Sequence, residues 1–394
     1  MQSDVTIIGA GLTGLTLAST LARLGLQVTV ISNQDPTQQL QNLRSQQSED
    51  GRAYAIASGS VETLTQAGIW QHMGNHSSPI LHIRVSDGNS HSKLDYDHSL
   101  INHAPMGYMV DALALQEASL DAALSHPNIT IHTSPCITQI SPSAHSVTLH
   151  AADLPPMDSS LLVVCDGRFS STRELLGIDT LTHLYEQTAL VCTIKHEHHH
   201  QHIAQERFLP TGPFAALPLK GGYHSSLVWV EDDSLASIYQ SLPQGEVNEH
   251  IQERIGGYLG ACELSSPIHH FPLTLKHATQ YYAPRTVLLG DTAHGIHPLA
   301  GQGLNLGFRD IDVLSELIKT QLSIGADIGH PTLCRNYDKE RKFDSWSLIA
   351  VTHGFDLLFA SRNPFVKATR RMGLTIVDHL PTLKKQFMHH AMGK

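Results

Sequence analysis

The hydrophobic pattern opens with a short, partly β-branched apolar run at residues 5–8, which reads as a buried parallel strand. A glycine-rich stretch, Gly9-Ala10-Gly11-Leu12-Thr13-Gly14, follows at once. Leu15, Ala18, Leu21, Ala22 and Leu24 then recur on one helical stripe, and Gly25 is placed to end that helix. A second apolar run at 28–31 completes a strand–helix–strand unit, which crosses over right-handed into a parallel sheet. Residues 34–50 are rich in Gln, Ser, Asn and Asp and predict a polar surface loop. Helical periodicity returns at 59–70 and 111–123, with strand-like alternation over 80–94 between them. Short β-like runs at 129–131, 147–149 and 161–164 are broken by Pro and Ser. From 188 to 272 the pattern changes to longer alternating strands (190–194, 204–209, 214–219, 225–230) with a helical insert, as an antiparallel sheet in a second lobe would show. At 287–289 the buried-strand pattern returns, then a glycine-rich loop, then a helix with apolar positions at 304, 308, 311, 314 and 318. Helices close the chain.

The expected architecture is therefore α/β: a Rossmann-like domain interlocked with an antiparallel β-sheet domain, followed by C-terminal helices. A length of 394 residues suits two interlocked lobes, and 41% hydrophobic against 16% charged residues supports a large core. The 26 Lys and Arg against 36 Asp and Glu leave a net charge of -10, which argues against nucleic acid as a partner. Five scattered cysteines without a CxxC pair disfavour a disulfide framework or a structural zinc site and fit a reducing, cytoplasmic compartment. No apolar run reaches the length of a membrane span, and a strand starting at Val5 disfavours a signal peptide.

A GxGxxG between a strand and a helix has a physical use. Gly9 permits the tight turn, Gly11 lets a pyrophosphate approach the backbone, and Gly14 lets helix and strand pack closely. The helix N-terminus then offers unpaired N–H groups and partial positive charge. An acidic residue at the end of the second strand usually accepts from the ribose hydroxyls; here Ser32 and Asn33 stand in that place, able to hydrogen-bond without charge assistance.

Two further motifs complete the pattern. In the run 161–173 an apolar strand ends in Asp166-Gly167, with Ser170, Ser171 and Arg173 at fixed offsets. In the run 287–310 a strand ends in Gly290-Asp291, a loop containing His297 and Pro298 crosses, and Gly301-Gln302-Gly303-Leu304-Asn305 opens a helix. These three motifs, in this order, resemble the flavoprotein aromatic hydroxylases related to para-hydroxybenzoate hydroxylase, and the run GDTAHGIHPLAGQGLNLGFRD is most similar to the branch that hydroxylates ubiquinone precursors. The stretches 50–56 and 227–229, the Leu380-Pro381 region and the Ala391-Met392-Gly393 ending support the resemblance, which covers nearly the whole chain.

The resemblance implies an FAD-binding domain of discontinuous residues 1–75, 100–185 and 275–335, a substrate domain of 76–99 and 186–274, and a C-terminal helical segment, 336–394. It implies FAD held by Gly9, Gly11, Gly14, Ser32, Arg52, Gln116, Asp166, Gly167, Gly290, Asp291, Pro298, Gly301, Gly303, Leu304 and Asn305, with Leu113 where relatives often carry Arg. Pro298 and His297 are the candidates for the flavin face; no residue declares itself as the base that ionises a phenol. The implied reaction is ring hydroxylation of a prenylated phenol in ubiquinone biosynthesis, with O2 as co-substrate, NAD(P)H as electron donor and a flavin C4a-hydroperoxide delivering the oxygen atom. A soluble phenolic substrate, or a non-catalytic FAD-containing scaffold in a quinone-biosynthesis complex, are the rival readings. A membrane-resident substrate fits the 341–394 segment, where nine Lys or Arg outnumber three Asp or Glu and Phe355, Leu357, Leu358, Phe359 and Phe365 cluster, an arrangement suited to peripheral contact with the inner face of the cytoplasmic membrane. The patch His196-Glu197-His198-His199-His200-Gln201-His202 reads as a solvated hairpin loop rather than a metal site, and His294 and His297 as positioning or packing residues.

Overall fold

A computed structural model describes residues 2–45, 52–88, 93–101, 103–134, 136–296, 302–360, 378 and 380–393. The first sheet is built around β1 (Gln2–Ile8), which pairs in parallel with β2 (Val28–Ser32) on one side and β11 (Leu154–Val164) on the other. Beyond these lie β8 (Ile129–Thr133) and β19 (Thr286–Leu288), both parallel, while β9 (Ile137–Pro142), β10 (Val147–Ala151) and β18 (Tyr282–Ala283) add antiparallel edges. Its central strands carry no apolar–polar alternation because both faces are covered: Leu161, Leu162, Val163 and Val164 are all fully buried. Helix α1 (Leu12–Arg23) connects β1 to β2, and ends as its sequence dictates, with Gly25 at φ +90°; Leu24 lies past the helix and is partly exposed, off the buried stripe.

The segment expected as a polar loop is instead partly helical: α2 spans Pro36–Ser45. Asp35 caps it, its carboxylate accepting from the Thr37 N–H at 2.8 Å, and Pro36 takes the first helical position, where its missing N–H costs nothing. Leu40 alone is buried, against Leu15, Leu113 and Leu120, which is too sparse an apolar set to register as a periodic stripe.

A small sheet of β3 (Ala53–Ala57), β7 (Gly107–Asp111) and β4 (Ser77–Ile80) follows, with α3 (Ser58–Gln66) leaving β3 and α4 (Ala112–Leu124) leaving β7. The third sheet runs in the order β16-β12-β15-β14-β13-β5-β6, with β17 also on β12. Its strands are β5 (His82–Asp87), β6 (Lys93–Asp97), β12 (Thr180–His196), β13 (Ile203–Leu209), β14 (Gly212–Pro218), β15 (His224–Asp232), β16 (Cys262–Leu264) and β17 (His269–Ala278). A short α5 (Ser171–Leu175) precedes β12.

Here the period of two divides the side chains between two faces. Phe214, Ala216, Leu227 and Trp229 join Leu190 and Ile194 in a core closed by Tyr239 of α6 (Asp233–Ser241) and Val247 and Ile251 of α7 (Gln244–Ile255). Their sequence neighbours Pro213, Ala215, Leu217, Val228 and Val230 face the opposite way, into a cavity. The histidine patch between β12 and β13 is less solvated than its composition predicts. His196 and His200 are buried, His196 contacting the Ser225 hydroxyl at 3.0 Å and His200 donating to the Leu219 carbonyl at 2.7 Å. The polar-looking patch is thus a set of internal hydrogen-bonding groups.

The remaining helices are α8 (Asp291–His294), α9 (Gln302–Ser323), α10 (Pro331–Ala360) and α11 (Pro381–Ala391). In α9 the expected stripe is buried at Phe308, Ile311, Leu314 and Ile318, with Leu304 packed at its edge. Of the apolar cluster expected for membrane contact, Leu358 packs against Phe208, and the side chains of Phe355, Leu357, Phe359 and Phe365 lie outside the described residues. Among the described residues, no helix is long and apolar enough to cross a membrane.

The C-terminus is fastened by a close backbone contact. The Gly59 N–H donates to the Met392 carbonyl at 2.8 Å, and a Cβ at Gly59 would lie 2.7 Å from the Gly393 carbonyl oxygen. Met388 and Met392 bury themselves against Met106. Replacing Gly59 with Val should therefore release α11. Limited proteolysis is expected to cut the variant near residue 380 many times faster than the wild type, with the rest of the chain equally resistant in both.

Candidate functional site

The site begins where three loops meet with no room for side chains. A Cβ on Gly9 would stand 2.3 Å from the Cys165 carbonyl oxygen, and one on Gly14 would stand 2.0 Å from the Gly9 oxygen. Those approaches seat the start of α1 directly on the first turn and on the end of β11. Gly11 is different: a Cβ there meets nothing within 4 Å, so its backbone faces open space. Gly11 caps α1 without a side-chain hydrogen bond, which leaves the first-turn N–H groups directed outward. Thr13, inside the same loop, is the nearest neighbour that a Cβ on either Gly290 or Gly307 would meet, at 3.4 and 3.3 Å. The turn at 9–14 therefore touches both the Gly290-Asp291 turn and α9.

Thr292 joins the second and third motifs. Its hydroxyl accepts from the Gly167 N–H at 2.9 Å and contacts the Asp166 carboxylate at 3.2 Å. Buried Arg173 braces the turn from behind, donating to the Thr292 carbonyl at 2.8 Å and to the Arg168 carbonyl at 3.3 Å. Arg168 in turn reaches the Asp291 carboxylate at 3.4 Å. Gly167 and Gly303, like Gly11, face open space.

Behind Gly290 lies a buried ionic cluster. Asp310, fully buried on α9, accepts from the Gly290 N–H at 2.8 Å, from His294 at 2.6 Å and from Arg341 of α10 at 2.5 Å. Burial opposes the charged form of Asp310, but His294 and Arg341 outweigh it and hold the carboxyl below its usual pKa. His294 thus has the packing and positioning role expected of it. Asn305 makes the other clamp: its amide accepts from the Ala57 N–H and donates to the Ala55 carbonyl, both at 2.8 Å, binding the start of α9 to β3.

Ser32 is buried at the end of β2, and its hydroxyl is engaged by none of the described residues. The Arg52 carbonyl accepts from Ala112 at the start of α4, the helix that carries half-buried Gln116 one turn on. Leu113, where an arginine was the alternative, is buried with Leu15 and Leu40, so apolar packing occupies that position. His297, Pro298 and Gly301 lie outside the described residues.

Next to Asn305 and Gln302 opens a cavity of about 370 Å³. Its walls are β3, the cavity-facing positions of β5, β6, β13, β14 and β15, and α11 through Phe387, Met388, Ala391 and Met392. No Lys, Arg or His is among the described residues that line it.

Comparison with known proteins agrees with this geometry. Residues 2–352 match the family described as FAD binding domain. The chain belongs to this family. It is 39% identical over 391 residues to "Ubiquinone hydroxylase UbiL" of Rhodospirillum rubrum, covering 99% of this chain and 90% of that protein. It is 29% identical to "3-demethoxyubiquinol 3-hydroxylase" of Escherichia coli, covering 99% and 98%. Among solved structures, p-nitrophenol 4-monooxygenase PnpA from Pseudomonas putida shares the fold with a TM-score of 0.78 at 16% identity, covering 99% and 98%.

The residues present fit FAD. Open backbone at Gly11, Gly167 and Gly303, helix-start N–H groups and the Ser32 hydroxyl, engaged by none of the described residues, offer donors suited to a pyrophosphate and a ribose. Asp310, Arg341, Thr292 and the methionines of α11 had no assigned role in the sequence. Thr292 and Asp310 stand inside the run GDTAHGIHPLAGQGLNLGFRD and Met392 inside the Ala391-Met392-Gly393 ending, while nothing in the sequence marked Arg341.

Two substitutions separate binding from folding at this site. Gly11→Val should leave the unfolding temperature of the FAD-free protein unchanged while weakening FAD binding about tenfold or more, the scale of one or two charge-assisted hydrogen bonds lost. Gly14→Val, which drives a side chain into the Gly9 carbonyl, should cost about 3 kcal/mol or more of stability as well. Thermal unfolding with and without FAD reads both. Asp310→Asn should leave His294 without its carboxylate and Arg341 with Asp344 alone, and cost about 3 kcal/mol, measured by denaturant unfolding.

Proposed function

We propose that this protein is an FAD-dependent hydroxylase acting on the aromatic ring of a prenylated phenol in ubiquinone biosynthesis. The observation that carries the reading is the apolar cavity that opens against the start of α9, beside the cradle of glycine turns. The family match and the names of the relatives support it.

FAD would be held through its pyrophosphate by backbone N–H groups at Gly9, Gly11 and Gly14, through its ribose by Ser32, and through its ribityl chain by Asp291, with Asp166 and Gly167 close by. Arg52 and Gln116 would contribute from β3 and α4. Gly290, Gly301, Gly303, Leu304 and Asn305 would set the helix start and its positive end against the flavin edge, with Pro298 and His297 on its face. When bound, FAD supplies activation of O2 and insertion of one oxygen atom into the ring, using two electrons from a nicotinamide donor, NAD(P)H. The chain's own contributions are orientation and exclusion of water. Aliphatic residues of β5, β14 and β15 would wall one side of the ring, and α11 lines the cavity through Phe387, Met388, Ala391 and Met392.

The lining favours a prenylated over a soluble acidic phenol. A carboxylate-bearing substrate needs a cation in the pocket, and the described lining offers none. The division of labour in this reading is 1–75, 100–185 and 275–335 for FAD, 76–99 and 186–274 for substrate, and 336–394 as a C-terminal segment. A tail dissolved in a bilayer asks for peripheral docking, and Leu380 and Phe387 are exposed apolar positions in the basic terminal segment. Partner enzymes of a quinone-biosynthesis complex would act from the same surface.

Deleting the gene in its host should cause accumulation of a quinone precursor one hydroxyl short, identified by mass. Purified protein with FAD, NAD(P)H and that precursor should form hydroxylated product in step with NAD(P)H oxidation. An unchanged precursor profile together with uncoupled oxidation rejects the reading in favour of a scaffold.

A further inference from the structure

Among the described lining of the cavity, one side chain carries a carboxyl group. Glu206 lies on β13 at the cavity-facing register, between Ala204 and Phe208. Its cross-strand neighbours are Val85 on β5 and Ala215 on β14, both apolar and both in the same wall. Among the described residues, no donor reaches its carboxyl group and no cation pairs with it. Of the charged groups at neighbouring strand positions, Arg207 and Arg84 point to the other face of the sheet, while Asp87, buried opposite Phe208, shares the cavity-facing register of β5 and has interactions of its own. Arg207 donates to the carbonyls of Arg254 and Gly88, and Arg84 pairs with Asp95 at 3.0 Å. Tyr54 of β3 and Tyr96 of β6 are the other titratable side chains of the wall. Burial, with the charge of Asp378, pushes Tyr96 up to about 12, so it stays neutral. Described lining residues of α9 and α11 bring no charge.

A carboxyl group in such a place is expensive. Burial, acting alone, pushes Glu206 up to about 7. Among the described residues nothing is held in return: Glu206 caps no helix, bridges no strands and neutralises no cation. The remaining partner is whatever fills the cavity. A prenylated phenol has one group that suits a lone acceptor in an aliphatic wall, its hydroxyl.

We propose that Glu206 is the catalytic base that accepts the proton of the substrate's phenolic hydroxyl, an assignment that rests on the hydroxylase reading above. The phenol O–H bond breaks, and an O–H bond to a carboxylate oxygen of Glu206 forms. The electron pair left on the phenol oxygen raises the electron density of the ring carbon that receives the oxygen atom. That carbon's hydrogen leaves as a proton when aromaticity returns, and the proton on Glu206 goes back to the phenol oxygen. Glu206 is therefore unchanged after a turnover. The oxidation itself consumes O2 and NAD(P)H, one oxygen entering the ring and the other leaving as water. An ordinary glutamate, near 4.3, is a poor match for a phenol near 10, whereas a base near neutrality holds the right protonation state and still pulls on the proton.

The sign of the pH effect follows from the raised pKa. Glu206 supports stability fully below its unfolded value, and that support is lost as pH rises through about 7. The carboxylate, the form that acts as base, gains over the same range.

The test uses FAD-loaded wild type, Glu206→Gln and Glu206→Asp, with a short-chain prenylphenol and its ring-fluorinated analogues, whose hydroxyls ionise more readily. Wild-type kcat/KM should rise with pH through about 7. Glu206→Gln should lose that limb and fall about 10²–10⁴-fold. The loss should shrink as the phenol becomes more acidic, and Glu206→Asp should recover part of the rate. FAD content should be equal in all three. Independently of activity, the unfolding temperature of the wild type should drop relative to Glu206→Gln between pH 5 and pH 8. A Gln variant that hydroxylates at the wild-type rate with the limb intact overturns the assignment. So does an activity loss of the same size for every phenol. If wild type itself forms no hydroxylated product, the hydroxylase reading has failed. The pH-dependent stability difference then still reports whether Glu206 ionises in an apolar wall.

Discussion

Everything in the site depends on backbone approaching backbone where no side chain intervenes. Gly9 and Gly14 let α1 start in contact with the end of β11, and Thr13 then rests beside Gly290 and Gly307. Three segments more than a hundred residues apart in the chain meet at one point as a consequence. The backbone is open at Gly11, Gly167 and Gly303, where an added Cβ would meet nothing within 4 Å. A single Cβ at Gly9 or Gly14 would separate the three segments by more than a hydrogen bond can span. The position of α9, and with it the wall of the neighbouring cavity, follows from that contact.

Around this point the structure is held by buried polar groups rather than by apolar packing alone. Asp310 ties Gly290, His294 and Arg341 together, so the turn, α8 and α10 are fixed relative to α9. Thr292 and Arg173 lock the Asp166-Gly167 turn to the Gly290-Asp291 turn. Asn305 fastens the start of α9 to β3. Such networks are costly when incomplete and rigid when satisfied, which is what a cofactor site needs from its supports. The cavity has the opposite character: it is walled by aliphatic and aromatic residues, and Glu206 is its one carboxyl group among the described lining. Two surfaces of contrasting polarity thus meet at Asn305.

Much of this was legible along the chain because glycine patterns encode backbone geometry directly. The strand–GxGxxG–helix–strand order prescribes a βαβ crossover wherever it occurs, and the paired turns at 166–167 and 290–291 point to the FAD-binding class the family match establishes. Other features left weaker traces. Helix α2 was hidden because one buried leucine makes no stripe. The histidine patch looked solvated because composition does not reveal which imidazoles find internal carbonyls and hydroxyls. The grouping among the described residues that has the spacing of metal ligands, His82, Asp97 and His98, draws on two strands and a turn that no short motif marks.

Taken by itself, the sequence determined the α/β class, the two kinds of sheet, the glycine turns that meet at the site and the family to which the chain belongs. These are properties of local periodicity and of residues, above all glycine, whose backbone freedom does not depend on distant neighbours. Tertiary structure alone decided which face of β13, β14 and β15 looks into the cavity, that α11 lines it, and that Glu206 stands there without a partner among the described residues. A period of two places alternate residues on opposite faces but does not say which face will be covered, because that is settled by elements folded from elsewhere in the chain.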